Sequence, residues 1–241
     1  DYETLYEKII AAFRAAFPTY GTQSECVLAA HFHLAEHPQS AADQLAKMVK
    51  EAGNQLQTGF VGTPYLLHVL SDYGYAELAY TLLLRKEYPS WLYPVTKGAT
   101  TIWEHWDGIM ENGGFWSADM NSFNHYAYGA IGEWMYRVMA GIEADPEYPG
   151  FKHAILYPRI GGNLKYTAGK YHSIYGDVGV KWEVQGKQIT LTVQIPVNTT
   201  AEIRLDQAKA VLESDGLTFI READYMAAEA GSGTYQIVFE Q

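Results

Sequence analysis

From Gly98 to Gly108 the chain reads Gly-Ala-Thr-Thr-Ile-Trp-Glu-His-Trp-Asp-Gly. One carboxylate, Glu104, stands between two indoles, Trp103 and Trp106, and Asp107 follows directly. Seventeen residues after Trp106 begins Phe123-Asn-His-Tyr-Ala-Tyr-Gly, which adds His125 and two tyrosines. These residue types suit the chemistry of a polyhydroxylated ring. Indole faces cover the apolar C–H faces of a pyranose, while Glu, Asp and His bond its hydroxyls or activate water. The competing reading is a plain aromatic core with solvated acids.

Glu104 is the candidate base, because flanking indoles would exclude water from it. A Glu beside aromatics can equally cap a helix or pair with Arg. Glu104 and Asp107 are three apart, so on a helical turn they would share a face. His105 would then point elsewhere, in a structural role. His125 falls near the start of an expected helix, where backbone N–H groups disfavour an imidazolium and favour a neutral, hydrogen-bonding ring. A satisfied core histidine is the alternative.

No metal or cofactor is implied. Glu104, His105, Asp107 and His125 lack a spacing such as H-E-x-x-H, and His31 with His33 is only a lone H-x-H. Thr58-Gly-Phe-Val-Gly-Thr-Pro64 has two glycines around an aromatic but no Lys after the second Gly and no preceding strand. It fails as a phosphate loop and reads better as a tight turn at a pocket.

Two different periodicities must position these residues. Up to about residue 143 the apolar spacing is helical. Leu5, Ile9, Phe13 and Ala16 mark a first helix, closed by Pro18 and Gly21. Further helices are expected over 24–35, 40–52, 65–72 (capped by Thr63, with Pro64 at its first position), 76–87 and 122–142, the last being the longest. Between them, 55–62 and 88–121 are long connections, the second of 34 residues with at most one or two helical turns. A loop that long in a compact domain is more often functional than idle. Five of the six tryptophans (Trp91, Trp103, Trp106, Trp116 and Trp134) fall in it or in the helix after it.

Asp145-Pro-Glu-Tyr-Pro-Gly150 reads as a break between domains. Short β-type runs follow at 154–157, 178–184, 188–195, 201–205 and 235–239, with Gln185-Gly186-Lys187 as a hairpin turn. The expected organisation is a mainly α domain over 1–148 and an all-β antiparallel sandwich over 149–241. Asp206, Glu213, Asp215, Glu222 and Asp224 are expected on the sandwich's solvated exterior.

Composition narrows the partners. The net charge is −11 with 17 basic residues, all scattered, which argues against a nucleic-acid partner. No apolar run is long enough for a membrane partner. The single cysteine, Cys26, excludes an internal disulfide and sits in an apolar run as a core residue. The chain lacks an initiating Met and opens inside a helical pattern, as a fragment or processed product would, so its compartment is left open.

Four motifs in register carry a resemblance. They are Thr58-Gly-Phe-Val-Gly-Thr-Pro-Tyr-Leu-Leu67, Tyr88-Pro-Ser-Trp-Leu-Tyr93, Lys97-Gly-Ala-Thr-Thr-Ile-Trp-Glu-His-Trp-Asp-Gly108 and Met120-Asn-Ser-Phe-Asn-His-Tyr-Ala-Tyr-Gly129; Pro196-Val-Asn-Thr-Thr-Ala201 fits as well. In their order and spacing the chain resembles the C-terminal portion of a bacterial α-L-rhamnosidase of glycoside hydrolase family 78, over nearly all of residues 20–205.

The resemblance implies the second half of an (α/α)6 barrel followed by the family's β-sandwich. It also implies inverting hydrolysis of terminal α-L-rhamnose from rhamnose-containing glycosides. Glu104 takes the place of the general base and His125 that of a rhamnose-contacting histidine. Trp91 and Trp103 would lie at or behind the sugar pocket, and Trp106 and Asp107, from their place beside Glu104 in the sequence, are expected to join them. The family's general acid lies upstream of Thr58, and nothing in residues 1–57 matches it. The expectation is that this chain alone is inactive and can self-associate through an open barrel face. Two other readings stay open: a carbohydrate-binding fragment without catalysis, and a helical-barrel hydrolase or lyase for another sugar.

Overall fold

The computed structural model describes the whole chain, Asp1–Gln241. Backbone contacts divide it into two compact units, Asp1–Ile131 and Gly132–Gln241. The first holds α1 (Tyr2–Ala16), α2 (Gln23–His31), α3 (Pro38–Glu51), α4 (Thr63–Asp72), α5 (Ala76–Leu84) and the short α6 (Leu92–Thr96).

Local chemistry explains where these helices begin and what they bury. Thr22 and Glu25 form a reciprocal capping box at the start of α2, satisfying two orphan amides. Ala41, Ala42, Leu45, Ala46 and Val49 recur along one face of α3 and are all buried. Cys26 is fully buried in α2, and burial pushes its thiol up to about 11, so it behaves as a small core residue. Thr63 does not cap α4. It is the first helical residue, and its hydroxyl turns to Thr58, 2.8 Å from Thr58 Oγ1.

α1 differs from its neighbours. None of its residues is buried, and Leu5 and Ile9 on its apolar side are 52% and 51% exposed. It is tied to the rest by Arg14, whose guanidinium donates to the carbonyls of Leu34 and Ala35 at 3.0 and 3.1 Å. No helix is long and apolar enough to cross a membrane.

The long helix expected over 122–142 does not form. Residues 122–126 are irregular, Ala127–Ala130 is a 3₁₀ turn, α7 spans only Ile131–Trp134, and Met135–Met139 closes as a π-turn. The reason is competition for backbone groups. His125 N–H donates to Ile102 O at 2.8 Å, and Ser122 O accepts from Glu104 N–H at 2.9 Å. Phe123 O accepts from the Thr101 hydroxyl. These bonds hold 122–125 alongside 101–104 and override the helical periodicity.

The second unit is a two-sheet sandwich. One sheet has the order β1–β2–β6–β9–β8, built from β1 (Ile142–Ala144), β2 (His153–Leu156), β6 (Thr200–Asp206), β8 (Ile220–Arg221) and β9 (Tyr225–Ala230). The other runs β3–β4–β5–β10–β7, from β3 (Tyr166–Ser173), β4 (Gly176–Gln185), β5 (Gln188–Ile195), β7 (Ala210–Glu213) and β10 (Gly233–Glu240). All pairings are antiparallel except β2 with β6, which is parallel. Alternate residues fill the core, among them Val178, Val180 and Trp182 of β4, Ile189, Leu191, Val193 and Ile195 of β5, and Ala201, Ile203 and Leu205 of β6.

Two sequence expectations change here and one is met. Asp145–Gly150, read as a break, is part of the connection between paired strands, because Ile142–Ala144 already pairs with Ala154–Leu156. The hairpin at Gln185-Gly186-Lys187 forms, with Gly186 at φ +65°. Asp206 is not solvated. It is 6% exposed, accepts from the Tyr157 hydroxyl at 3.2 Å and lies 3.5 Å from Arg159 Nη1. The last residue of β6 carries it inward, where Arg159 compensates its charge. Glu213, Asp215, Glu222 and Asp224 are exposed as expected.

Candidate active site

The candidate residues all fall between Trp91 and Tyr128, on irregular backbone held by hydrogen bonds between segments distant in sequence. Residues 104–107 form a turn rather than a helix, closed by Gly108 N–H donating to His105 O at 3.1 Å. The shared helical face expected for Glu104 and Asp107 is therefore not the arrangement. Two bonds converge on Gly108 O, from Trp116 N–H and from Asn121 Nδ2, both at 3.2 Å. A side chain at Gly108 would be crowded, since a Cβ there would lie 3.2 Å from both Phe123 and Trp103 and 3.3 Å from Asn121 Oδ1.

Ring packing fixes the side chains. Trp103 is buried and meets Phe123 edge-on at 5.0 Å. Trp106 lies stacked on Tyr128 at 3.8 Å and 18°, and meets Trp91 edge-on at 5.3 Å. Buried Trp91 donates its indole N–H to Tyr128 O at 2.9 Å. Phe60, from the Thr58–Pro64 loop, stacks on His125 at 4.9 Å and 15° and also meets Tyr128 at 4.9 Å. The chain thus links Trp91, Trp106, Tyr128, Phe60 and His125 into one aromatic bed.

The polar groups sit at its margins. Glu104 is half-buried, with its own amide spent on Ser122 O. The bond from His125 N–H to Ile102 O sets His125 opposite the strand-like run that leads into Glu104. His125 Nδ1 is buried with no hydrogen-bond partner, as is Asn121 Oδ1. A buried unpaired ring nitrogen is costly. It is the kind of group a bound hydroxyl would satisfy. Burial and then the nearby Asp107 charge push the Tyr88 phenol above its ordinary value, which puts Asp107 on the side of Tyr88. His105 stacks on Trp116 at 3.6 Å, a packing role. No group of three or more His, Cys, Asp or Glu side chains is arranged to hold a metal ion.

Sequence reading placed Tyr128 beside His125 without giving it a role, and missed Phe60 and Phe123 as parts of this site. Two signals were present. Tyr128 and Phe123 lie within the motif that supplies His125, and Phe60 is the aromatic between the two glycines of the 58–64 loop.

Comparison with known proteins decides the family. The model of the bacterial alpha-L-rhamnosidase 6 hairpin glycosidase domain matches residues 1–139, and that of the bacterial alpha-L-rhamnosidase C-terminal domain matches 141–218. The chain belongs to the bacterial α-L-rhamnosidase family.

Among curated α-L-rhamnosidases, one from Streptomyces avermitilis is 40% identical over 246 residues, covering 98% of this chain and 24% of the relative. One from Formosa agariphila is 42% identical over 213 residues, covering 85% of this chain and 23% of the relative. The crystal structure of the Streptomyces avermitilis α-L-rhamnosidase complexed with L-rhamnose matches with a TM-score of 0.91 at 38% identity, over 98% of this chain and 24% of that one. The chain therefore spans about a quarter of the length of these α-L-rhamnosidases.

Proposed function

We propose that this chain supplies the base side of an inverting glycoside hydrolase site that releases terminal α-L-rhamnose. Glu104 is the general base. It takes a proton from water as the water's oxygen attacks the anomeric carbon, while the leaving oxygen departs on the opposite face with a proton from a second carboxyl group. Inversion requires the two carboxyls roughly 6.5–9.5 Å apart, to leave room for the water. The acid is assigned to sequence upstream of Thr58, and the chain alone is then inactive. His125 accepts or donates to a sugar hydroxyl through its unpaired Nδ1. Trp91, Trp103 and Trp106 floor and wall the pocket, and Asp107 bonds a hydroxyl at its rim.

The observation that carries this reading is the backbone pairing of 101–104 with 122–125 within a chain of this family. That pairing supports a fixed approach of one carboxylate and one imidazole to an aromatic bed, the combination a sugar needs.

The test is Glu104→Gln in a protein extended upstream, assayed by nitrophenol release from p-nitrophenyl α-L-rhamnoside. Turnover should fall by about 10²–10⁴-fold, the range for a lost general base, with rhamnose affinity retained. An unchanged rate would remove Glu104 from the role. Faster turnover of another aryl glycoside by the parent protein would discard the rhamnose assignment.

A further inference from the structure

The β-unit carries a second concavity, of about 510 Å³, that the proposed activity does not use. Asp145, Tyr148, His153, Thr200, Glu202 and Glu229 are among the residues that line it. It lies across the β1–β2 connection and the start of β6.

His153 is its centre. Its Nδ1 is 2.7 Å from Thr200 Oγ1, so with the hydroxyl donating, Nε2 carries the ring proton. That Nε2 lies 3.9 Å from Asp145 Oδ2, too far for a direct hydrogen bond. A hydroxyl lying beside this pair, accepting from Nε2–H and donating to the carboxylate, would bridge the two. Tyr148 stands beside this gap, 56% exposed, its ring meeting His153 at 5.7 Å and 62°. It offers a free aromatic face to the same occupant.

Charge argues against an anion here, and geometry against a metal ion. Three carboxylates line the cleft; Glu202 faces Glu229 across β6 and β9 and is paired with Arg204 at 2.6 Å, so Asp145 and Glu229 carry the uncompensated charge. The single lysine, Lys152, already donates to Asn198 O and lies over the Tyr175 ring at 5.3 Å. An anion would therefore meet net negative charge. Nor does any trio of the carboxylates and imidazole meet metal-ligand geometry. A neutral molecule with a hydroxyl for the His153–Asp145 pair and an apolar face for Tyr148 fits these groups, and an organic cation drawn by the carboxylates is the competing occupant.

We infer that this cleft is a binding site for a neutral sugar ring, separate from the candidate active site. It gives the β-unit a role in holding glycan, and it stands whether or not Glu104 is a base.

The test uses the full chain, isotopically labelled, titrated with L-rhamnose, D-mannose, D-galactose, glucosamine, calcium and sulfate while backbone amide resonances are followed. At least one neutral sugar should give saturable shifts at Tyr148, His153 and Thr200. Tyr148→Ala should weaken that binding about tenfold. Glu229→Gln, which removes a charge but keeps a hydrogen-bonding group, should preserve it. Shifts only with glucosamine or calcium, abolished by Glu229→Gln, would make the cleft a cation site and overturn the inference. So would no shift at millimolar sugar, or an affinity indifferent to Tyr148→Ala.

Discussion

The strand β5 and the segment 103–128 position side chains in opposite ways. Along β5, Ile189, Leu191, Val193 and Ile195 are buried while Thr190, Thr192 and Gln194 face outward, and the strand is paired on both edges by β4 and β10. The backbone ladder alone decides where each side chain goes. In 103–128 there is only one isolated bridge, Ile109 with Phe115. Position is set by ring-on-ring contacts and by individual bonds to Gly108 O, Ser122 O and Ile102 O. A ladder distributes its constraint over many residues. A loop site concentrates it in a few, so the effect of a change depends on which residue is touched.

The sharpest way to break this contrast is in the sandwich core. Trp182 of β4 is fully buried and donates its indole N–H to Met139 O at 2.9 Å. Trp182→Ala should cost the β-unit about 3–5 kcal/mol, read by urea unfolding. A loss below about 1 kcal/mol would mean the sandwich repacks freely, and that its ladder is not the rigid partner in the comparison.

Next comes Gly108→Ala, which forces a methyl group between Phe123, Trp103 and Asn121. The expected cost is about 1–3 kcal/mol in thermal unfolding. The displaced Trp103 ring should also slow turnover of an aryl α-L-rhamnoside by an upstream-extended protein. A variant with unaltered melting and unaltered turnover would show the aromatic bed to be soft.

The smallest effect is expected at Asp206, where the contrast concerns pH. Burial raises this carboxyl above its ordinary value, outweighing the opposing pull of Arg159 and the Tyr157 hydroxyl. A folded-state pKa above the unfolded one stabilises fully below the unfolded value, near about 3.9, and that contribution is lost as pH rises through the folded value. Asp206→Asn should therefore gain stability relative to the parent between acid and neutral pH, by less than either change above. Denaturant midpoints of both proteins across that range would check the sign, and a difference that shrinks with rising pH would refute it.

Much of this was legible in the chain. The helices α2 to α5 follow from apolar spacing punctuated by Gly and Pro, and β4, β5, β6 and β10 follow from alternation. The aromatic and acidic residues of the candidate site stood out because they cluster in a loop too long to be idle. What was hidden is non-local. The apolar spacing over 122–142 is helical in period, yet bonds to residues twenty positions earlier claim the backbone of 122–125. Asp206 looks like surface in sequence because nothing local reveals Arg159 and Tyr157 beside it. The strand β3 escaped notice because Tyr166, Ala168, Lys170, Tyr171 and His172 are exposed, leaving little apolar alternation to read.

The lone parallel pairing in the sandwich sets an order of assembly. His153 of β2 meets Thr200 of β6, so the chain must leave one sheet, lay down β3, β4 and β5 in the other, and return. The hairpins β3–β4 and β4–β5 close loops of a few residues, while β2–β6 closes one of more than forty, at a far larger entropic cost. The β3–β4–β5 meander should thus form before β2 closes on β6. Pulse-labelled hydrogen exchange during refolding should protect the amides of β4 and β5 before those that join β2 to β6.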